Sequence, residues 1–298
     1  MTITTTSLLN GGMVSEVLSG MVTEALYDPT SLRAVAMQVP SGLGSTTSEV
    51  TIDAAPGAFS APGEAVAVGI STYTTAEFEL VLAKYSRAYQ ITDLVGAAGS
   101  PIDLQRIVAN LVQGLDLTLT DQFCSLFSTF TTQTGNNANA LDVDDIFDAS
   151  FALNLANNSG PFTAVLSPKQ MNEFMDDLRT QTNLMAYNSP SQEQLVAKGP
   201  GYHGSWNGID LYQSDSCVTA AGVKHGAMFS QGCLAYQLGN VAAMQGHIPS
   251  ANLMVNTPEL VVELDRSALA GMSSAVAHAY LAVAVANDSR GVDIVSLA

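Results

Sequence analysis

The sequence predicts an α+β fold, and three observations carry that expectation. Residues 76–93 alternate apolar and polar side chains with period two. Residues 101–127 follow with apolar residues every three or four positions, enough for a helix of about 27 residues and ~40 Å at 1.5 Å per residue. Short helical and strand-like segments are then mixed to the C-terminus with no internal repeat.

Composition narrows the function before any motif is read. The chain has 298 residues, 47% of them apolar and 12% charged. The charged share is about half the usual ~25%. At ~150 residues per domain, the length suggests about two domains. Ten Lys and Arg stand against 27 Asp and Glu, a formal net charge of −17. A disordered chain would be richer in charge. A binder of nucleic acid or anionic lipid would need a basic surface. Cys124, Cys217 and Cys233 are odd in number and widely spaced, which fits reduced thiols in a cytosolic setting better than a disulfide framework. Residues 1–10 carry no basic residue and do not read as a secretory signal. The uncharged run at 267–287 is long enough to span a bilayer, but Gly271, Ser273, Ser274, His278 and Asn287 interrupt it, so it reads as buried soluble structure. Low charge with much Ala, Gly, Ser and Thr is what a subunit shows when neighbours cover it; saline habitat skews composition in the same direction.

The elements follow in order. Met13, Val17, Met21 and Leu26 mark one face of a short helix between Asn10-Gly11-Gly12 and Asp28-Pro29. Residues 34–39 read as a strand, 40–47 as a turn, 50–52 as a second strand and 54–63, with two Pro-Gly pairs, as a loop. The region 33–75 cannot form its own core, so an extended hairpin with a mobile tip is expected. In 76–93, Phe78, Leu80 and Leu82 alternate with Glu77, Glu79 and Val81, and a bulge is expected near Lys84. The long helix opens at Pro101 behind Ser100 and carries Leu104, Ile107, Val108, Leu111, Leu115, Leu119, Phe123, Leu126 and Phe127. Gly114 at its middle costs about 1 kcal/mol against Ala or marks a bend. A linker at 133–140, a helix at 142–157, a buried strand at 162–166 and a helix led by Ser167-Pro168 come next. Residues 183–204 read as loop, and strands are expected at 209–213, 227–229, 234–236, 261–264 and 279–285.

No chemical motif stands out. The chain has no G-x-G-x-x-G, P-loop or G-x-S-x-G. Gly42-Leu43-Gly44-Ser45 reads as a turn because no helix follows it. Asp142, Asp144 and Asp145 resemble the start of a calcium loop, but Phe147 replaces its glycine and no Glu closes it; acids opening a helix suit the helix dipole. Cys217, His225 and Cys233 lack the tight pairs of a zinc site and read as buried thiols and a surface histidine. His203 and Ser205 have no acid near them in sequence. No catalytic residue, metal ligand or cofactor site is expected, and the chain is not read as an enzyme.

The order of segments resembles another class of protein. Residues 57–95, GAFSAPGEAVAVGISTYTTAEFELVLAKYSRAYQITDLV, resemble the extended loop and following strand of tailed-bacteriophage major capsid proteins with the Hong Kong 97-type fold. The Gly63-Glu64 pair ends the loop and Ile91-Thr92-Asp93-Leu94 ends the strand. A spine helix, a helix, a strand, a Pro-led helix, Gly208-Ile209-Asp210-Leu211, Gly226-Ala227-Met228-Phe229 and two closing strands at 260–266 and 275–285 follow in the family's order. The likeness is spread over residues 30–295, and each motif alone is weak. Lysines are too few to carry over the cross-link of the type member.

The resemblance implies an N-terminal arm at 1–32 and an extended loop at 33–75. It implies a peripheral domain from 76–135 and 253–272, and an axial domain from 136–252 and 273–298. Subunits would associate into pentamers and hexamers of an icosahedral head around double-stranded DNA, in the virion and assembled in the host cytoplasm. Pro56, Gly57, Phe59, Pro62, Gly63 and Glu64 would make inter-subunit contacts. The partners implied are further copies of the chain, a separate scaffolding protein, a portal and a decoration protein, with DNA enclosed but not specifically bound and no membrane. An encapsulin-like nanocompartment ranks second, although residues 1–27 lack its usual pattern; a soluble enzyme ranks third. Asp103, Asp116, Asp142, Asp144 and Asp145 are expected to face solvent, since an unpaired carboxylate within a contact is costly.

Overall fold

A computed structural model of the chain describes residues 32–33, 35–40, 46–53, 75–92, 104–156, 158, 160–180, 187–199, 201–241, 253–256, 259–267 and 269–298. The N-terminal helix expected around 13–26, the Gly42–Ser45 turn, Ser100, Pro101 and Asp103 lie outside them. In chain order the elements are β1 (Met37–Val39), β2 (Thr47–Asp53), β3 (Thr75–Val81), β4 (Ala83–Thr92), α1 (Leu104–Leu126), β5 (Gln133–Gly135), α2 (Val143–Leu155), β6 (Phe162–Leu166), α3 (Pro168–Thr180), β7 (Tyr187–Asn188), α4 (Gln192–Lys198), β8 (Tyr202–Trp206), β9 (Ile209–Gln213), β10 (Thr219–Ala220), β11 (Val223–Ser230), β12 (Leu234–Leu238), β13 (Leu253–Asn256), β14 (Leu260–Ser267), β15 (Met272–Val285) and β16 (Gly291–Leu297).

Two sheets organise the chain. The first runs β1-β12-β15-β14-β13, with β4 also pairing with β15. The second runs β5-β16-β11-β6-β9-β8-β7, with β10 on β11. β2 and β3 form a separate antiparallel pair. Most of the uncharged run at 267–287 is therefore one long strand, β15, flanked by β4 on one side and by β14 and then β12, end to end, on the other; Leu281 pairs with both Ala83 and Leu238. Ala275, Ala277, Ala279 and Leu281 alternate inward along it, the pattern of a sheet with one face on a core. Among the described residues no helix is long and apolar enough to cross a membrane.

α1 lays Leu111, Leu115, Leu119 and Phe123 on the first sheet, in one core with Phe127, Phe229, Tyr236, Val262 and Leu281. α2 and α3 cover the second sheet, where Ile146, Leu153 and Phe174 meet Leu166, Trp206, Met228 and Ile294. α1 ends in a 3-10 turn at Phe127–Thr129.

Several expectations need correction. The 76–93 run is two strands with different partners: the chain changes sheets at Leu82, whose N–H donates to Thr46 O at 2.8 Å. The 34–39 strand is not part of the hairpin but joins β12 in parallel. The 133–140 linker contains β5, which pairs with β16. The 183–204 loop contains β7, α4 and most of β8; Ser191 and Gln194 form a capping box at the α4 N-terminus, a signal present in the sequence. β16 was not expected at all. All but its last residue are buried, so Val292, Ile294 and Val295 show no alternation against polar neighbours, and Asp293 interrupts the run. Asp116 is 7% exposed, not solvent-facing, because it stands one helical turn after buried Val112. Asp142 and Asp144 are exposed and Asp145 is half-buried.

Candidate assembly surface

Pro56, Gly57, Phe59, Pro62, Gly63 and Glu64 lie outside the described residues. What is described is the stem that carries them. At its base, Gln237 of β12 donates from Nε2 to Pro40 O at 3.1 Å and to Ser48 Oγ at 2.9 Å, and Leu80 is fully buried. Towards the other end Thr51, Thr75, Ala76 and Glu77 are exposed. The register places Val50 opposite Phe78 and Ser48 opposite Leu80 on one face. It places Glu49 opposite Glu79 and Thr51 opposite Glu77 on the other, so period two gives the stem an acidic face.

α2 has a second apolar stripe that the described residues leave uncovered. Asp142 caps it: its Oδ1 accepts from Asp145 N at 2.9 Å, and Asp145 Oδ2 accepts from Asp142 N at 3.2 Å. Burial, ahead of the neighbouring acids, raises the Asp145 carboxyl above its ordinary value. These contacts account for the acids that resembled a calcium loop. Val143, Ile146, Ala149 and Leu153 turn inward. Phe147, Phe151 and Leu155, spaced by four, are 45%, 66% and 72% exposed. The first is held edge-on to Trp206, ring centroids 4.7 Å apart, so the stripe has a rigid base. A ridge of three large apolar side chains on one helix face is the feature a partner surface covers.

The described histidines make structural contacts. His225 is not a surface residue: its Nδ1 lies 2.9 Å from Asp293 Oδ2 across β11 and β16, and burial raises the Asp293 carboxyl against the pull of His225. His203 presents its carbonyl to the Tyr187 hydroxyl at 2.5 Å. Sequence reasoning missed a contact across three strands: Ser86 Oγ lies 2.7 Å from His278 Nδ1, and His278 Nε2 lies 3.6 Å from Glu263 Oε1. A nucleophilic serine sits on a sharp turn beside free backbone donors. Ser86 instead lies within the β4–β15 ladder, directly opposite His278, so the three residues tie strands together. Only the sheet register could have revealed them.

Among the described residues no group of three or more His, Cys, Asp or Glu could hold a metal ion. The three thiols are free and buried. Two of the basic residues make internal pairs: Arg33 meets Glu259 at 2.9 Å and Lys198 meets Asp210 at 2.6 Å.

No protein-family model matches the sequence. No curated protein matches it either. Solved structures do share its fold. The head structure of Helicobacter pylori bacteriophage KHP40 superposes with a TM-score of 0.64 at 10% identity, covering 91% of both chains. The capsid of the Cyanophage P-SCSP1u gives 0.59 at 10% identity over 91% of this chain and 89% of that one. The SrpI encapsulin of Synechococcus elongatus PCC 7942 gives 0.55 at 14% identity over 88% and 85%. The chain has the Hong Kong 97-type capsid fold.

Proposed function

We propose that the protein is a major capsid protein, a structural subunit that associates into pentamers and hexamers of an icosahedral phage head enclosing double-stranded DNA. The observation that carries this reading is a fold shared with phage heads over about nine-tenths of the chain. The exposed α2 ridge and the anchored β2–β3 stem support it, since both present surface for a second copy to cover. The acidity suits a container: an acidic lumen does not adhere to packed DNA.

In this reading residues 1–32 form an arm and 33–75 the extended loop, with Pro56, Gly57, Phe59, Pro62, Gly63 and Glu64 touching a neighbour. The peripheral domain takes α1 with β4, β14 and β15, and the axial domain takes the second sheet with α2, α3 and α4. Residues 272–281 of β15 pair with β4 and 272–279 with β14, so this reading draws the boundary expected near 273 after β15 instead. A scaffolding protein, a portal and a decoration protein are the further partners, and assembly takes place in the host cytoplasm.

Expressed with its scaffold, the protein should sediment as capsomers or shells and show rings or heads by negative-stain microscopy. A strictly monomeric species at every salt and concentration would falsify the reading. Deleting residues 54–63 should leave a folded subunit and abolish stable shells; shells that survive unchanged would remove the loop from the assembly role. The encapsulin likeness supports a second reading as a cargo compartment, and particles that co-purify with a host enzyme and no DNA would favour it.

A further inference from the structure

Cys124 lies near the end of α1, and Cys217 in the turn between β9 and β10. They belong to different parts of the molecule: α1 packs on the first sheet, and the turn belongs to the second. Ser214 joins the two. Its Oγ lies 3.9 Å from Cys124 Sγ and accepts from Ser216 N at 3.2 Å, which folds the turn back over the helix. Cys217 follows three residues later in the same turn, and Cys124, as a hydrogen-bonding neighbour, is the first cause that raises its thiol pKa. Both side chains are buried in the same core cluster. Cys233 belongs to that cluster too, but sits at another point of it, near Phe130 and Gly291.

We propose that Cys124 and Cys217 are a latent disulfide: reduced inside a reducing cell, and closed by a low-molecular-weight disulfide once the protein leaves it. In the first step a cysteine thiolate attacks the oxidant's S–S bond, forming a mixed disulfide and releasing one reagent thiolate. In the second the other cysteine attacks the protein sulfur of that mixed disulfide and releases the second. Two protein thiols lose two electrons and two protons, and the oxidant becomes two thiols.

Access sets the rate. Cys217 is covered, but the neighbouring Asp215 is exposed and the turn is short, so a local opening of 214–218 brings the Cys217 sulfur to the reagent. Cys124 as a neighbour, and then burial, push the Cys217 thiol well above its ordinary value, which keeps it inert while the turn is closed. Once formed, the bond ties the end of the long helix to the second sheet and closes a loop of some ninety residues, constraining the unfolded chain.

The test treats native, purified full-length protein with oxidised glutathione. The expected result is a fall in titratable thiols from three to one, loss of the mass of two hydrogens, and a Cys124–Cys217 linked peptide in a non-reducing digest. Thermal denaturation should shift upward by several degrees, reversed by reductant. Cys233→Ser should keep all of this, and Cys124→Ser and Cys217→Ser should each lose it. Three thiols persisting in the native protein after prolonged exposure, or a mapped bond that includes Cys233 or joins two chains, overturns the proposal. The peptide map on unaltered protein decides the matter even if a variant misfolds, and its outcome does not depend on whether the protein forms shells.

Discussion

Arg87 of β4 occupies the notch that Gly114 opens in α1: a Cβ built at 114 would stand 2.9 Å from the arginine Nη1 and 3.6 Å from its Cδ. The guanidinium also lies over the Tyr89 ring, 5.3 Å from its centroid. The glycine that a helix pattern marks as a defect is thus where the helix and sheet admit a cation between them. Its neighbours Tyr85, Leu111 and Leu115 line the same small cavity of about 190 Å³.

Gly114→Ala sets a helix-propensity gain of up to about 1 kcal/mol against displacement of the far end of one flexible side chain. The gain should prevail, and the variant should unfold at higher denaturant. In an Arg87→Ala background the same substitution should stabilise by more, because nothing then has to move. Equal increments in the two backgrounds would show that the arginine does not press on position 114.

Phe151 and Leu155 contribute exposed apolar surface and little internal packing. Replacing both by serine should leave the isolated subunit within about 0.5 kcal/mol of its parent stability. Assembly should be lost or need much higher protein concentration, read by sedimentation velocity. Normal assembly would mean that the ridge faces solvent in the shell.

Glu49 and Glu79 face each other across the stem, and each subunit carries a formal −17. Such repulsion is screened beyond ~10 Å at 0.1 M salt. Assembly followed by light scattering should therefore accelerate from low to moderate ionic strength, with a shallower dependence in Glu79→Gln. If added salt slows assembly, attractive ion pairs between subunits outweigh the repulsion.

Burial, and then the charge of Lys84, lowers the His278 pKa below its ordinary 6.5, while Glu263 pulls it upward. The unfolded chain therefore binds this proton more tightly than the folded one. Stability from this residue is complete above about 6.5 and declines as pH falls through the lowered folded value. An NMR titration should place the His278 midpoint below 6.5, and His278→Gln should flatten the loss of stability on that side. A midpoint above 6.5 would reverse the sign argued here.

Local patterns determined the α+β class, the body of α1, β6, β9 and the start of α3, because period and capping chemistry act between near neighbours in the chain. The order of these segments also pointed to the capsid fold that the superpositions show. Tertiary structure alone decided the rest. β16 and β5 are strands because each finds its partner far along the chain, and the same holds for the change of sheet at Leu82. Asp116, His225 and Asp293 are polar side chains whose burial depends on what packs over them. Phe147, Phe151 and Leu155 fit a core stripe in sequence, and only the placement of α2, with Ile146 and Leu153 turned inward, leaves them outside. The meeting of Cys124 with Cys217 has the same cause: residues far apart in sequence become neighbours only through the packing of a helix against a turn that neither segment encodes by itself.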